Sequence, residues 1–344
     1  MKILVIGPSW VGDMVMSQSL YKTLKQQNPD SDLHVLAPAW CRPILSRMPE
    51  VDKTIDMPLG HGTLDLKTRY KMGLSLRNEM YTHAYVLPNS AKSALIPLFA
   101  NIPNRTGWKG EFRYGLINDL RTNKKVFQFM VERYVALAFN KQSMESIVKL
   151  DNCPVPELSI DITSQRNVMN RLYLDSTRPI FGICPGAEFG PAKRWPHRYY
   201  AEVAKHIIEN GGQVWTFGSA KDREVTQSIR NTLSSPLQEF CFDLAGETSL
   251  VEAVDLLAMC KAVITNDSGL MHVSASVGAH VIAIYGSSSP SYTPPLTKKL
   301  DILNTDISCR PCFKRECPLG HLECLTKLSP EQVIKKLDKL HLYE

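Results

Sequence analysis

Lys2-Ile3-Leu4-Val5-Ile6-Gly7-Pro8-Ser9-Trp10-Val11-Gly12-Asp13-Met14 decides the fold class. Lys2 to Ile6 is a short apolar run that stops at Gly7-Pro8, the pattern of a strand buried on both faces of a parallel sheet. The residues after it predict a helix from about Gly12 to Gln27, ended by Asn28-Pro29-Asp30. Strands are then expected at Leu33–Leu36 and Ala84–Leu87, with a helix at Ser90–Ala100. A strand leading through a tight turn into a helix, repeated, implies a doubly wound α/β layer.

The same pattern restarts near Pro179. Ile180–Cys184, Val214–Phe217, Ala262–Thr265 and Val281–Tyr285 read as strands. Tyr199–Glu209, Leu250–Met259 and Gly269–Val277 read as the helices between them, and Glu331–Leu340 as a final amphipathic helix. The Pro-containing stretch Asp151–Thr177 is where the boundary is expected. The division that follows is 1–165 for a first Rossmann-like domain, 176–328 for a second and 329–344 for the terminal helix. Two such halves imply a cleft at the carboxyl ends of two parallel sheets, where ligands of this architecture bind.

The chain has 344 residues, enough for two domains, and 44% hydrophobic with 22% charged residues is ordinary globular composition. No apolar run approaches the ~18 residues of a membrane span. The apolar start before Gly7 is too short for a signal-peptide core, so the expected compartment is the cytoplasm. A net charge of +6 is mild. It suits an anionic small molecule or an anionic membrane surface better than a nucleic-acid footprint.

Four constellations carry candidate chemistry. In the first, Gly7 and Gly12 allow a tight turn and Asp13 falls in the first helical turn. Asp13 reads either as an acid favoured by the helix dipole or as a general base facing the cleft. The turn is not GxGxxG, so no nicotinamide fingerprint is present. The second, Pro185-Gly186-Ala187-Glu188-Phe189-Gly190-Pro191-Ala192-Lys193-Arg194-Trp195-Pro196, ends in adjacent cations and suits a phosphate clamp. A solvated basic turn is the plain alternative. The third is Thr265-Asn266-Asp267-Ser268-Gly269-Leu270-Met271-His272. Ser268 and Gly269 open a helix whose N–H groups can take a diphosphate. Asp267 can contact a sugar hydroxyl or orient a neighbouring group, and His272 either points at the same ligand or packs in the core. The fourth holds Cys309, Cys312, Cys317 and Cys324 within one short tract. Its spacing has metal-ligand character, fit for one structural zinc, but departs from a two-CxxC ribbon; reduced, partly buried thiols are the alternative.

The motifs at 7–14, 185–196 and 266–272 closely resemble those of the lipopolysaccharide heptosyltransferases of glycosyltransferase family 9. Shorter pieces agree: Ala39-Trp40-Cys41-Arg42-Pro43, Arg105-Thr106-Gly107-Trp108, Phe217-Gly218-Ser219-Ala220-Lys221-Asp222 and Leu244-Ala245-Gly246-Glu247-Thr248. The resemblance covers nearly the whole chain, and the cysteine tract is its main departure. It implies a GT-B fold, α/β with two Rossmann-like domains facing each other across a cleft, the second binding ADP-heptose and the first the acceptor. It implies transfer of L-glycero-D-manno-heptose, with inversion, onto the first heptose of heptosyl-Kdo2-lipid A at the cytoplasmic face of the inner membrane, with no nucleic acid and no metal required for catalysis.

On this resemblance Asp13 matches the base and Lys193 the phosphate-contacting, catalytic lysine. Gly186, Asp222, Thr248, Asp267, Ser268, Gly269 and His272 complete the nucleotide-sugar set. Trp10, Arg42, Lys92, Arg105 and Lys109 are the expected acceptor-binding residues. From Lys92 to Lys125 seven basic residues (Lys92, Arg105, Lys109, Arg113, Arg121, Lys124, Lys125) face two acids, Glu111 and Asp119. That balance suits a phosphorylated, membrane-held acceptor. A nucleotide-sugar epimerase and a non-catalytic two-domain binding protein are the competing readings. Release of ADP only in the presence of acceptor separates all three.

Overall fold

The structure is a computed structural model that describes residues 1–60, 62–145, 150 and 152–343. It divides into two compact units, Met1–Pro156 and Glu157–Glu344. The first holds β1 (Lys2–Ile6), β2 (Asp32–Pro38), β3 (Lys53–Met57), β4 (His83–Val86), β5 (Asn104–Trp108) and β6 (Asp119–Arg121). They form one parallel sheet in the order β3-β2-β1-β4-β5-β6. The second holds β7 (Ile180–Cys184), β8 (Gln213–Thr216), β9 (Cys241–Asp243), β10 (Ala262–Asn266), β11 (His280–Tyr285) and β12 (Leu300–Asn304). Its sheet, also parallel, runs β12-β11-β10-β7-β8-β9. Counted from its own first strand, each sheet has the Rossmann order 3-2-1-4-5-6. The expected fold class, two Rossmann-like α/β domains of the GT-B type, is what the chain has.

Burial explains why the apolar runs became the central strands. Every residue of β7 and β10 is buried, as are Ile3 to Ile6 of β1. Fully buried strands need apolar side chains on both faces. The edge strands are wetter. β6 reads Asp-Leu-Arg, and β12 alternates and leaves Ile302 exposed. Neither carries the apolar run that marks a buried strand, which is why neither was expected.

Three expectations are corrected by packing. The helix Ile162–Arg171 straddles the expected end of the first domain at 165, yet it belongs to the second unit. The Asp161 amide donates to Asp255 Oδ1 at 2.9 Å, Gln165 Nε2 to the Asp255 carbonyl at 2.7 Å, and Arg171 pairs with Glu252 at 2.7 Å. The chain thus crosses over at 156–157, inside the expected boundary stretch, whose first residue, Asp151, lies outside the described residues. The terminal helix, Pro330–Lys339, is not a separate element either. Val333 and Leu337 enter the core of the second unit, and His206 on the helix His197–Glu209 meets Asp338 at 2.8 Å. Finally, Ser90–Ala100 is a 3-10 segment, Ala91–Ala94, followed by a short α-helix, Leu95–Phe99. Pro97 has no N–H to give to residue 93 and its ring crowds that carbonyl, so a continuous helix breaks there.

Candidate functional site

A sheet with this strand order changes winding direction beside its first strand, and the loops leaving the strands on either side of that point open a crevice. In the second unit those strands are β7 and β10. The loop after β7 carries Gly186 and Lys193, and the loop after β10 carries Asp267, Ser268 and Gly269. Asp222 follows β8 and Thr248 follows β9. Every expected nucleotide-sugar residue therefore lies beyond the carboxyl end of one sheet.

Asn266, the last residue of β10, ties the two central loops together. Its Oδ1 accepts from the Trp195 amide at 3.0 Å and the Tyr200 hydroxyl at 2.9 Å. Its Nδ2 donates to the Pro185 carbonyl at 2.6 Å. Both ends of the 185–195 loop thus hang on one buried amide. Within that frame the Lys193 ammonium donates to Asp267 Oδ2 at 2.5 Å. Ser288, in the loop after β11, donates its hydroxyl to the same oxygen. Asp267 is 5% exposed, so its charge is compensated by Lys193 rather than by bulk water.

The helix Gly269–Ser276 begins beside this pair, with Ser268 at its N-cap making no side-chain capping bond. The exposed end of its backbone dipole, worth roughly half a positive charge, and the Lys193 ammonium are two positive features a few residues from one another's loops. His272 sits on that helix, 5% exposed. Burial pushes its imidazole down from 6.5 to about 4, with the Asp267 carboxylate opposing and Lys193 reinforcing the shift. The ring is therefore neutral near pH 7 and can act as a hydrogen-bonding group, not as a cation.

Asp222 has a structural task as well. Its Oδ2 accepts from the Ser219 amide at 2.9 Å and the Ser219 hydroxyl at 2.8 Å, closing a capping box. Its Oδ1 also lies where a side chain at Gly186 would have to go. Glycine there is what lets the loop after β7 approach Asp222. Thr248 is half-buried in the loop next to Gly246, whose amide donates to the Gly218 carbonyl at 3.0 Å.

In the first unit the corresponding loops follow β1 and β4. Asp13 is half-buried in the first turn of the helix Val11–Gln27, and the Tyr134 hydroxyl donates to its Oδ1 at 2.9 Å. Trp10, the N-cap, is 39% exposed. Trp40, exposed in the loop after β2, donates its indole N–H to the Ser9 carbonyl at 2.8 Å. Two tryptophans thus stand on the loop that leads to Asp13. Lys92 follows β4 and Lys109 follows β5. Arg42, at the start of the short helix Arg42–Leu45, lies 3.4 Å from Asp56 with both side chains largely exposed.

Arg105 is a correction. It is the second residue of β5, at the sheet's amino edge, and its guanidinium donates to the carbonyls of Ile102, Leu116 and Gly115. It braces a loop. The basic stretch is also thinner at the surface than its composition suggests. Arg113 is 1% exposed and Arg121 is buried against Asp119 at 2.8 Å. Sequence reasoning gave no role to Asn266, Ser288, Tyr134 or Trp40. A polar residue closing a buried strand was the available signal for Asn266; Tyr134 is 121 positions from Asp13 and gave none.

The four thiols of the cysteine tract line one cavity of about 20 Å³ together with His321 and Ser287. Amides of Leu322, Leu319, Gly320 and His321 hold the Cys317 thiol below its ordinary value, while burial pushes Cys324 up. Among the described residues no three His, Cys, Asp or Glu side chains are placed to hold a metal ion. The thiols gather, but not as a formed cage.

The sequence model of glycosyltransferase family 9 (heptosyltransferase) matches residues 69–323, and the chain belongs to that family. Lipopolysaccharide heptosyltransferase 2 of Escherichia coli K12 is 52% identical over 346 residues, covering 100% of this chain and 99% of the relative. Lipooligosaccharide heptosyltransferase 2 of Haemophilus influenzae is 52% identical over 347 residues, covering 99% of each. The solved structure of E. coli ADP-heptose LPS heptosyltransferase II superposes with a TM-score of 0.89 at 50% identity, covering 99% of this chain and 98% of that one.

Proposed function

We propose that the chain transfers L-glycero-D-manno-heptose from ADP-heptose to the first heptose of heptosyl-Kdo2-lipid A, with inversion. The observation that carries this is the Lys193–Asp267–Ser288 cluster at the start of the helix Gly269–Ser276, within a chain that belongs to the heptosyltransferase family. As the glycosidic bond to ADP breaks, charge grows on the diphosphate. Lys193 and the helix N–H groups supply fixed positive partners where it grows. Asp267 holds the ammonium in place beforehand, and Asp222 and Thr248 border the nucleoside. On the other substrate, Asp13 takes the proton of the acceptor hydroxyl as its oxygen bonds to the heptose anomeric carbon. Tyr134 fixes the direction of that carboxylate. Trp10, Arg42, Lys92 and Lys109 line the acceptor's side.

An acceptor anchored by lipid A places the enzyme on the inner face of an anionic bilayer. No helix among the described residues is long and apolar enough to cross a membrane, so peripheral attachment is the form proposed. The test is ADP release from ADP-heptose with heptosyl-Kdo2-lipid A, with Kdo2-lipid A, and with neither. Release with the first acceptor alone supports the reading. Equal release without acceptor, or preference for Kdo2-lipid A, contradicts it.

A further inference from the structure

The loop between β5 and β6 holds two aromatic rings in solvent by means of a buried arginine. Arg113 lies inside, donating Nε to the Trp108 carbonyl at 3.0 Å and Nη1 to the Pro88 carbonyl at 2.7 Å, with Nη2 also on Trp108. Burial lowers its guanidinium to about 10, a measure of what desolvating it costs. The Glu111 amide donates to the Asn89 carbonyl at 3.0 Å, and the Glu111 carboxylate accepts from the Ala91 amide at 2.9 Å. A side chain at Gly110 would strike the Asn89 carbonyl, so the backbone lies directly on that turn. The loop is clamped on three sides.

Phe112 and Tyr114, on either side of Arg113, point the other way. They are 89% and 53% exposed, with rings edge to face at 5.3 Å. The Lys109 ammonium lies 5.6 Å from the Tyr114 ring centre, and Lys124 Nζ donates to the Lys109 carbonyl at 3.3 Å. Lys125 and Val126 continue the exposed surface. None of these three lysines is in an ion pair among the described residues. A loop this firmly braced does not expose a phenylalanine through looseness. Two rings are too little surface for a stable protein interface, which needs ~600 Å² or more from each partner. Rings flanked by long-stemmed cations match the boundary between acyl chains and phosphates.

Resting on the membrane-held acceptor proposed above, we propose that residues 109–118 form a docking finger for an anionic bilayer. Phe112 and Tyr114 enter the interfacial layer, and Lys124 and Lys125 meet lipid phosphates. The experiment is co-sedimentation of the full chain with vesicles of phosphatidylglycerol and phosphatidylcholine in equal parts, and with phosphatidylcholine alone. The wild type is expected on the mixed vesicles. The Phe112→Ser/Tyr114→Ser double variant, with an unchanged melting temperature, is expected to bind them about tenfold or more weakly, since the gain from burying two rings is lost. Its rate on a deacylated, water-soluble acceptor should equal the wild type's. Equal vesicle binding by the variant overturns the finger and leaves charge attraction standing. A parallel fall in rate on the soluble acceptor makes the loop an acceptor subsite and overturns it too. Failure of the wild type to bind any vesicle overturns the membrane reading itself.

Discussion

The two domains share one strand order and use it in opposite ways. Beyond β7 and β10 the polar groups are buried and mutually satisfied: Asn266 secures two loops, and Asp267 is held by Lys193 and Ser288. Beyond β1 the half-buried Asp13 carboxylate accepts from the Tyr134 hydroxyl, while Trp10 on that loop and Trp40 beyond β2 are exposed. A site preorganised by buried hydrogen bonds suits a compact ligand of fixed charge. An open surface of aromatics and lysines suits a large amphiphile. The same topology thus carries two different loop environments, set by what its loops bury.

The sharpest way to break this comparison is at Asp13. Asp13→Asn keeps the shape and the Tyr134 contact but cannot accept a proton. Turnover should fall ~100- to 10,000-fold, as expected for loss of a general base. A steady-state rate within a few-fold of wild type would remove Asp13 from the mechanism and leave the first domain without a catalytic group.

A second prediction concerns the buried character of the donor side. The folded His272 imidazole titrates at about 4 and the unfolded one near 6.5, so the unfolded chain binds the extra proton between those values. The stability this contributes is fully present above pH 6.5 and is lost as pH falls toward 4. Lowering pH from 7 to 5 should remove about 2 kcal/mol from the second domain through this group. Urea unfolding of wild type and His272→Gln at both pH values measures it. The gap between the two proteins should shrink at pH 5. A gap of the same size at both would show that the ring is not buried neutral.

The smallest expected effect is at Tyr134. Tyr134→Phe removes one hydrogen bond to Asp13 Oδ1 and leaves the ring's packing. A loss of about 1 kcal/mol, or roughly fivefold in kcat with donor KM unchanged, is expected. A change in donor KM instead would place Tyr134 outside the acceptor's chemistry.

The candidate donor residues were easy to place because they run consecutively after strongly apolar strands. β7 was expected at Ile180–Cys184 and is found with those bounds. Asp267, Ser268 and Gly269 follow β10 without interruption, so locating the strand located these residues. The acceptor side was harder, because charge in a sequence does not say which side chains reach water. Arg105, Arg113 and Arg121 count as basic surface by composition, yet each uses its guanidinium on carbonyls or on Asp119. Contacts such as Tyr134 with Asp13 exist only once the chain has folded back on itself.

The central claim is that the two domains hold separable functions, and ADP titration of three proteins by calorimetry tests it most directly. Wild type and Asp13→Asn should bind ADP with the same affinity. Lys193→Ala should bind it ~10- to 100-fold more weakly, the loss of one charge-assisted contact worth roughly 1.5–3 kcal/mol. Weakened binding in Asp13→Asn, or unchanged binding in Lys193→Ala, would contradict the division.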